Sequence, residues 1–225
     1  MQERPPAKAQ LRFREEAERI EKLPLAERFG YIYDTNLWGS EESRSGLGSA
    51  VDETAHLRGA LAELLRQIGV SSILDIPCGD YGWMSQAGLQ VEYTGADIVA
   101  VIVERNRTLY PGNTFLQLDL TRDTLPRADL VLCRDCLVHL SFANVFRALR
   151  QIRESGAEWL LATTFLEHES NQDIPDGDWR MLNLERAPFN FARPEAVIVE
   201  GCTEAGGAYA DKALGLWRVS GLPPL

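Results

Sequence analysis

The sequence predicts an α/β fold with a mostly parallel sheet, helices on both faces and an antiparallel hairpin at the end of the chain. Short apolar runs alternate with longer amphipathic segments from residue 71 to residue 164, which is typical of strands that alternate with crossover helices. The pattern then changes, because two strand-like runs near the end are joined by a Gly-rich loop. With 225 residues and 45% hydrophobic content, the chain can bury one sizeable core.

The first 50 residues differ in character from the rest of the chain. Residues 7–23 are charged with a one-sided apolar stripe, which predicts a helix. Residues 31–49 are rich in Gly, Ser and Trp, which predicts a loop that covers something. We therefore expect two parts: residues 1–50, an N-terminal helix and covering loop, and residues 51–225, the main domain.

The main domain is predicted to follow a strand and helix rhythm. Asp52 or Thr54 opens its first helix and Gly69 ends it, while Ser141 caps a later one. The predicted helices are 52–68, 81–87, 99–110 and 142–155, and the predicted strands are 73–76, 91–98, 114–118, 130–133, 159–164, 196–200 and 213–219.

The turn DIPCGDYG follows the first predicted strand. Asp75 ends this strand, Pro77 stops ladder hydrogen bonding, and the glycines at 79 and 82 bracket Asp80. Such a turn offers backbone N–H groups and a carboxylate to a ligand. A dinucleotide fingerprint requires a third glycine, and Asp80 would repel a pyrophosphate. The turn therefore favours a cationic nucleoside that carries an amino acid over NAD.

Two further acids end the next two predicted strands. Asp97 follows at the spacing of about 20 residues that is expected for a carboxylate accepting both ribose hydroxyls. Asp119 can reach an exocyclic adenine amine. Each acid alone is equally well explained as a helix N-cap or a solvated strand end. All three in this order, with Asp75, predict an adenosine-type cofactor site.

These residues resemble the motifs of class I S-adenosylmethionine-dependent methyltransferases over about 52–219. The resemblance implies a Rossmann-like sheet of seven mostly parallel strands, the last antiparallel, with S-adenosylmethionine as cofactor. Asp97 and Asp119 match the family's ribose-binding and adenine-proximal acids, and their neighbours Ile98 and Leu120 are placed with them in the cofactor site. The chain departs from the family at Pro77-Cys78, where many members carry a further glycine.

The stretches NLWGSEESRSGLGS, PCGDYGWM, VLCRDCLVHLS and KALGLWRV resemble a group of small bacterial methyltransferases whose substrates are mostly unassigned. This resemblance implies that Trp38, Arg44, Ser45 and Gly46 lie over the cofactor. A guanidinium offers two parallel donors, so Arg44 is the candidate partner of the methionine carboxylate. The alternative is an arginine in a solvated loop.

The run LVLCRDCLVHLS ends the fourth strand, where this family faces the transferable methyl group. Arg134 is placed with the cofactor, and Asp135 and His139 are the candidate catalytic residues. His139, with an expected pKa near neutrality, can accept the acceptor's proton, and Asp135 can orient it or bind a cationic substrate. The alternative is that His139 caps the helix that begins near Ser141.

A long insertion, 165–191, follows the fifth strand. Its candidate substrate-binding residues are Trp179, Arg180, Asn183 and Asn190, because loops at this sheet edge set substrate choice. This mixture of residues suits a polar acceptor. An ordinary structured connection explains the segment equally well.

Charge and composition restrict the partners. The formal net charge is -10, and the fourth strand ends in Cys-Arg-Asp-Cys where DNA base methyltransferases carry a Pro-Pro-aromatic motif; both disfavour nucleic acid. Neither a secretory signal nor a membrane-length apolar run is present, which favours a cytoplasmic protein without a membrane partner.

The cysteines and histidines predict no metal site. Cys133 and Cys136 form a C-x-x-C spacing, but without a second pair they are better explained as small buried residues than as zinc ligands or a redox pair. The three histidines lie far apart in the sequence.

The sequence thus predicts methyl transfer to an oxygen or nitrogen of a small polar molecule or peptide side chain, in a specialised biosynthesis. A non-catalytic nucleoside- or partner-binding protein with the same fold is the alternative. An NAD-dependent oxidoreductase is disfavoured by the turn after the first strand. The sequence leaves a homodimer open.

Overall fold

A computed structural model describes residue 4, residues 8–38 and residues 43–224. Within these residues the longer helices are α1 (Lys8–Ile20), α2 (Leu25–Asp34), α3 (Ala55–Ile68), α4 (Ala100–Leu109) and α5 (Phe142–Glu154). The strands are β1 (Ser72–Asp75), β2 (Glu92–Asp97), β3 (Thr114–Gln117), β4 (Leu130–Cys133), β5 (Trp159–Phe165), β6 (Ala196–Val199) and β7 (Lys212–Arg218).

These strands form one sheet in the order β3-β2-β1-β4-β5-β7-β6. The first five are parallel to their neighbours, while β7 is antiparallel to both β5 and β6. This confirms the predicted α/β fold with its antiparallel end. Strand order reverses between β1 and β4, and ligands bind outside the carboxyl ends of strands at such a point.

The two faces of the sheet carry separate apolar clusters. Within β4, Leu130 and Leu132 face the cluster that contains α3, whereas Val131 and Cys133 face the cluster that contains α5. This alternation follows from the two-residue period of a strand. Both faces are covered by helices, so β4 and β5 are buried along their whole length.

Helix α2 was missed in the sequence, where residues 31–49 were predicted to be a loop. No side chain caps its N-terminus at Pro24, so the usual start signal is absent. Tertiary packing stabilises the helix instead, because Ile32 is buried with Phe13 and Ile20 of α1.

The helix predicted at 81–87 is wrong. Tyr81 has a φ of 59°, which lies outside the helical region, and only a single 3₁₀ turn, Met84–Gln86, forms after it. The Tyr81 ring packs 4.8 Å from Tyr93 and 4.8 Å from Tyr110. Aromatic packing therefore overrides the helical pattern at this point.

The N-terminal helices are attached to the rest of the molecule through the segment after β5. Arg28 of α2 donates a hydrogen bond of 2.9 Å to the main-chain oxygen of Asp176. Gly177 has a φ of 92°, and a Cβ there would lie 3.0 Å from Ile32. This close approach brings α2 over the carboxyl edge of the sheet.

Candidate active site

A cavity lies at the carboxyl ends of β1, β2 and β4, below α2 and the segment 43–50. Of the residues predicted to bind the cofactor, those that line it are Trp38, Ser45, Asp75, Pro77, Gly79, Asp80, Asp97, Ile98, Asp119, Leu120 and Arg134. The two candidate catalytic residues, Asp135 and His139, also line it. Predicted residues as far apart in the sequence as Trp38 and His139 therefore line the same cavity.

Arg44 and Gly46 are not brought to this cavity. Arg44 is exposed, and its guanidinium lies 5.6 Å from the centre of the Tyr33 ring. Gly46 lies against Trp38, since a Cβ there would be 3.8 Å from the Trp38 Cβ. The geometry therefore gives Arg44 the solvated position that was its alternative.

The segment 43–50 packs against the turn that follows β1. Gly79 has a φ of 52°, and a Cβ there would lie only 2.6 Å from Ser45 Oγ. The backbone N–H of Asp80 donates to the same hydroxyl at 3.3 Å. Because a side chain at 79 would collide with Ser45, glycine is required for this close contact.

Asp97 is buried at the end of β2 and holds this turn in place. Its carboxylate accepts the N–H of Val99 at 2.9 Å and the N–H of Gly79 at 3.1 Å. Burial raises the pKa of Asp97 to about 6. A carboxylate has about four acceptor positions, so both oxygens can still receive a ligand's hydroxyl groups.

The other two predicted acids differ in their surroundings. Burial raises the pKa of Asp75 to about 7, and the Tyr93 hydroxyl donates to it at 2.7 Å. Asp119 accepts hydrogen bonds from the N–H and hydroxyl of Thr121, at 2.8 and 2.6 Å. Asp119 thus stabilises its own turn and also lines the cavity.

Arg134 is fully engaged by the protein. Its guanidinium bonds Glu200 through two nitrogens, at 2.6 and 3.2 Å, and donates to the Gly48 oxygen at 2.7 Å. It also lies 5.1 Å from the centre of the Trp83 ring. Burial alone would lower the pKa of Arg134, but the charges of Glu200 and Asp135 raise it.

Arg134 belongs to a buried group of four charges, which we call the ion cluster: Arg134, Asp135, Glu200 and Lys212. Lys212 Nζ lies 2.6 Å from Asp135 and 3.4 Å from Glu200. The sequence analysis missed Glu200 and Lys212. Their positions at the facing ends of the predicted hairpin strands were the available signal, since both strand ends lie at the carboxyl edge of β4 and β5.

Of the two carboxylates in the ion cluster, that of Asp135 lines the cavity. Its side chain is 27% exposed, against 5% for Glu200. Its backbone has a φ of 51°, and its N–H donates to Thr163 Oγ1 at 2.8 Å. Burial would raise its pKa, but the charges of Lys212 and Arg134 hold it well below the usual range.

His139 lies in a 3₁₀ turn, Leu137–His139, beside the cavity. Its Nδ1 donates to the main-chain oxygen of Asp178 at 2.9 Å, and its ring lies 4.7 Å from the Trp38 ring. Burial lowers its pKa to about 4, which is below the near-neutral value expected from the sequence, so the imidazole is neutral at physiological pH. Ser141 Oγ caps α5, so His139 does not.

Asp135 does not orient His139 as predicted. Among the hydrogen bonds of the described residues, none joins the two side chains, and the Nδ1 partner is the main chain at Asp178. Asp135 instead pairs with Lys212 and Arg134. The electrostatic effect of Asp135 on His139 is a modest increase in pKa that burial outweighs.

The four candidate substrate-binding residues are not among those that line the cavity. Arg180 donates to the main-chain oxygens of Leu137 and Leu140, at 3.0 and 2.8 Å. It therefore supports the turn that carries His139. Trp179 packs against Tyr209, Asn183 donates to the His168 oxygen, and Asn190 is exposed with a φ of 50°.

Residues of α2 contribute a wall that the sequence analysis did not find. Leu25, Phe29 and Tyr33 line the cavity beside Trp38. Their spacing of four residues places them on one face of the helix. The four-residue spacing is a helical signal in the sequence. It was not recognised because no capping residue marks the start of α2.

Comparison with solved structures identifies the fold. The chain matches a Burkholderia thailandensis 1,6-didemethyltoxoflavin-N1-methyltransferase with a TM-score of 0.56 and 15% identity, covering 91% of this chain and 89% of that one. It matches the methyltransferase domain of bacterial CtHen1 with a TM-score of 0.54 and 13% identity, covering 75% and 98%. A Pyrococcus horikoshii OT3 protein matches at 0.51 and 17%, covering 76% and 92%.

The chain has the class I methyltransferase fold. No protein-family model and no curated protein sequence matches it. In this methyltransferase fold the cavity occupies the sheet edge where the order reverses, and the acids that end β1, β2 and β3 all line it.

Two kinds of feature are absent from the part of the chain that the structure describes. No helix there is both long and apolar enough to cross a membrane. Within the same residues, no group of three or more His, Cys, Asp or Glu side chains is arranged to hold a metal ion.

Proposed function

We propose that this protein transfers a methyl group from S-adenosylmethionine to a nitrogen or oxygen of a small polar molecule, in a specialised biosynthesis. The observation that carries the proposal is the buried Asp97 carboxylate, which lines the cavity at the switch point and has acceptor capacity left for two hydroxyl groups. A peptide side chain of similar polarity fits the same description.

The residues present fit the parts of this cofactor. Asp97 would accept the ribose hydroxyls, and Asp119 would accept the adenine amine. Ile98 and Leu120 supply apolar surface for the adenine ring. The Gly79–Asp80 turn would face the amino-acid portion, whose ammonium group Asp80 attracts. The same negative charge disfavours the pyrophosphate of NAD.

His139 is the group that would receive the proton of the acceptor atom. S-adenosylmethionine supplies a sulfonium methyl group, whose C–S bond breaks with its electron pair left on sulfur while a new bond to nitrogen or oxygen forms. In the protein, Asp178 fixes Nδ1 of His139 as the protonated nitrogen, so the Nε2 lone pair is free to accept a proton. Alignment of the acceptor supplies much of the rate in such a displacement.

A small molecule suits the cavity better than nucleic acid. Among its described lining residues the acids are Asp75, Asp80, Asp97, Asp119 and Asp135, and the single arginine or lysine is Arg134, which is already paired. Such a lining repels a phosphate backbone. The Burkholderia enzyme that shares this fold was crystallised with its own small-molecule substrate, which also supports a small acceptor here.

A cytoplasmic location is part of the proposal. The four cysteines have free thiols in the structure, and free cysteines are typical of reducing compartments. Burial raises the pKa of Cys78 well above its usual value, so this thiol is unreactive.

A transfer experiment tests the proposal without knowledge of the acceptor. The purified protein is incubated with S-adenosylmethionine tritiated on the methyl group and with bacterial extract separated into small-molecule, protein and nucleic-acid fractions. We expect label in the small-molecule fraction, and none with the Asp97→Ala variant. If S-adenosylhomocysteine binds but no fraction takes up label, the non-catalytic alternative is correct.

A further inference from the structure

One part of the cavity has a different chemistry from the cofactor acids. It lies between α2 and the turn that follows β4, where the Trp38 ring is 4.7 Å from His139 and 6.4 Å from Phe29. Tyr33 and Leu140 line the same cavity. The rings of Phe29, Trp38 and His139 lie next to one another and form one aromatic surface. Aromatic surfaces bind flat rings by stacking or edge contacts.

The polar groups on the β4 side of this part are hydrogen-bond acceptors. Asp135 Oδ2 receives Lys212 at 2.6 Å and Arg134 at 3.4 Å, while no donor among the described residues reaches Oδ1. His139 donates through Nδ1, which leaves Nε2 as an acceptor. A ligand in this position must therefore supply the donors.

The charge of Asp135 is balanced within the protein. Arg134 and Lys212 carry two positive charges, and Asp135 and Glu200 carry two negative ones, so the ion cluster is neutral as a whole. At Asp135 a cationic ligand would therefore meet a carboxylate whose charge Arg134 and Lys212 already balance, and it would have to leave water. An uncharged donor avoids that desolvation cost.

We propose that this part of the cavity is the acceptor subsite, and that it binds a flat, uncharged aromatic or heteroaromatic ring that donates an N–H or O–H to Asp135. The inference rests on the proposed function and narrows it to one class of methyl acceptor. Methylation replaces the hydrogen on the reacting nitrogen or oxygen, and that proton passes to Nε2 of His139, so the product has one donor fewer for Asp135 and His139 to recognise. The subsite therefore distinguishes substrate from product.

The experiment uses matched pairs of probes on protein saturated with S-adenosylhomocysteine. Xanthine is paired with its trimethylated form and catechol with 1,2-dimethoxybenzene, so that each pair shares a flat shape and differs in its donors. Cyclohexylamine and glucosamine represent aliphatic cationic acceptors. Binding is measured by ligand-detected NMR titration.

We expect the flat donors to bind, and their methylated counterparts to bind about tenfold more weakly or worse, which corresponds to about 1.4 kcal/mol. The Asp135→Asn variant should weaken the donors and leave the methylated probes unchanged. Because this variant also disturbs the ion cluster, Phe29→Leu provides a second test: it should weaken all flat probes while S-adenosylhomocysteine still binds.

Two results would overturn the inference while the proposed function stands. In the first, S-adenosylhomocysteine binds but the aliphatic amines bind in preference to the flat rings. In the second, S-adenosylhomocysteine binds and no flat donor does. Failure of S-adenosylhomocysteine itself to bind would instead remove the proposed function, and the acceptor subsite with it.

Discussion

The imidazole of His139 is oriented by the main-chain oxygen of Asp178, 2.9 Å from its Nδ1. A carbonyl oxygen can only accept, so the proton of the neutral ring lies on Nδ1 and the lone pair on Nε2. Burial lowers the pKa of His139 to about 4, which keeps that lone pair available over the whole physiological range.

The first prediction concerns His139. Replacing it by Ala removes the proton acceptor but none of the cofactor contacts, so turnover should fall by about 100-fold or more while S-adenosylhomocysteine affinity stays the same. Turnover is measured by tritium transfer and affinity by calorimetry. His56→Ala, an exposed histidine on α3, is the matched control and should behave as wild type. Equal turnover in both variants would remove His139 from the mechanism.

The second prediction is a pH dependence of cofactor binding. The pKa of Asp97 is raised to about 6, and only the ionised carboxylate accepts two hydroxyls. Affinity for S-adenosylhomocysteine should therefore be constant above about pH 7 and fall by up to about tenfold per unit below pH 6. Calorimetry between pH 5 and 8 measures this.

The Asp97→Asn variant distinguishes the titration of Asp97 from that of Asp75, whose pKa is raised to about 7. Its affinity should be weak and nearly independent of pH over the same range. A variant that keeps the full pH dependence would assign the titration to another group.

The third prediction tests the contact between Gly79 and Ser45. An alanine at 79 would require a φ of 52° and would place its Cβ 2.6 Å from Ser45 Oγ. We expect Gly79→Ala to weaken S-adenosylhomocysteine binding about tenfold, since the turn must move. Adding Ser45→Gly should restore part of the affinity. Gly112→Ala, where a Cβ has open space, is the control and should bind normally.

The fourth prediction concerns the ion cluster. Lys212→Met leaves Asp135 and Glu200 with one positive partner in a buried site, so the free energy of unfolding should fall by about 3–5 kcal/mol. Urea denaturation measures the change. The double variant Lys212→Met with Asp135→Asn restores the balance of charge and should recover much of the loss. Lys22→Met, which removes an exposed ion pair with Glu18, should change stability by less than about 1 kcal/mol.

The acids and the glycine that line the cavity, which we propose to be the cofactor site, were predictable because local signals specify them. Asp75 and Asp97 end apolar strands, and Gly79 occupies a turn whose φ of 52° favours glycine. Parallel strands bring their carboxyl ends to one edge, so the sequence order alone placed these residues together.

The ion cluster was not predictable in the same way. Arg134 and Glu200 are 66 residues apart, and their pairing depends on β7 and β6 joining the sheet beyond β5. Arg180 shows the same limit, because its hydrogen bonds go to main-chain oxygens of a distant turn. The ends of the predicted hairpin strands indicate which sheet edge Glu200 and Lys212 occupy, but their partners depend on tertiary geometry.

The most direct test of cofactor binding at Asp97 is calorimetric titration of S-adenosylhomocysteine into the wild-type protein, Asp97→Ala and Glu92→Ala. Glu92 is exposed at the opposite end of the same strand, which makes it the matched control. We expect S-adenosylhomocysteine to bind wild type and Glu92→Ala with micromolar affinity, about -8 kcal/mol, and not to bind Asp97→Ala. Folded wild-type protein that does not bind, or an Asp97→Ala variant that binds equally well, would contradict this expectation.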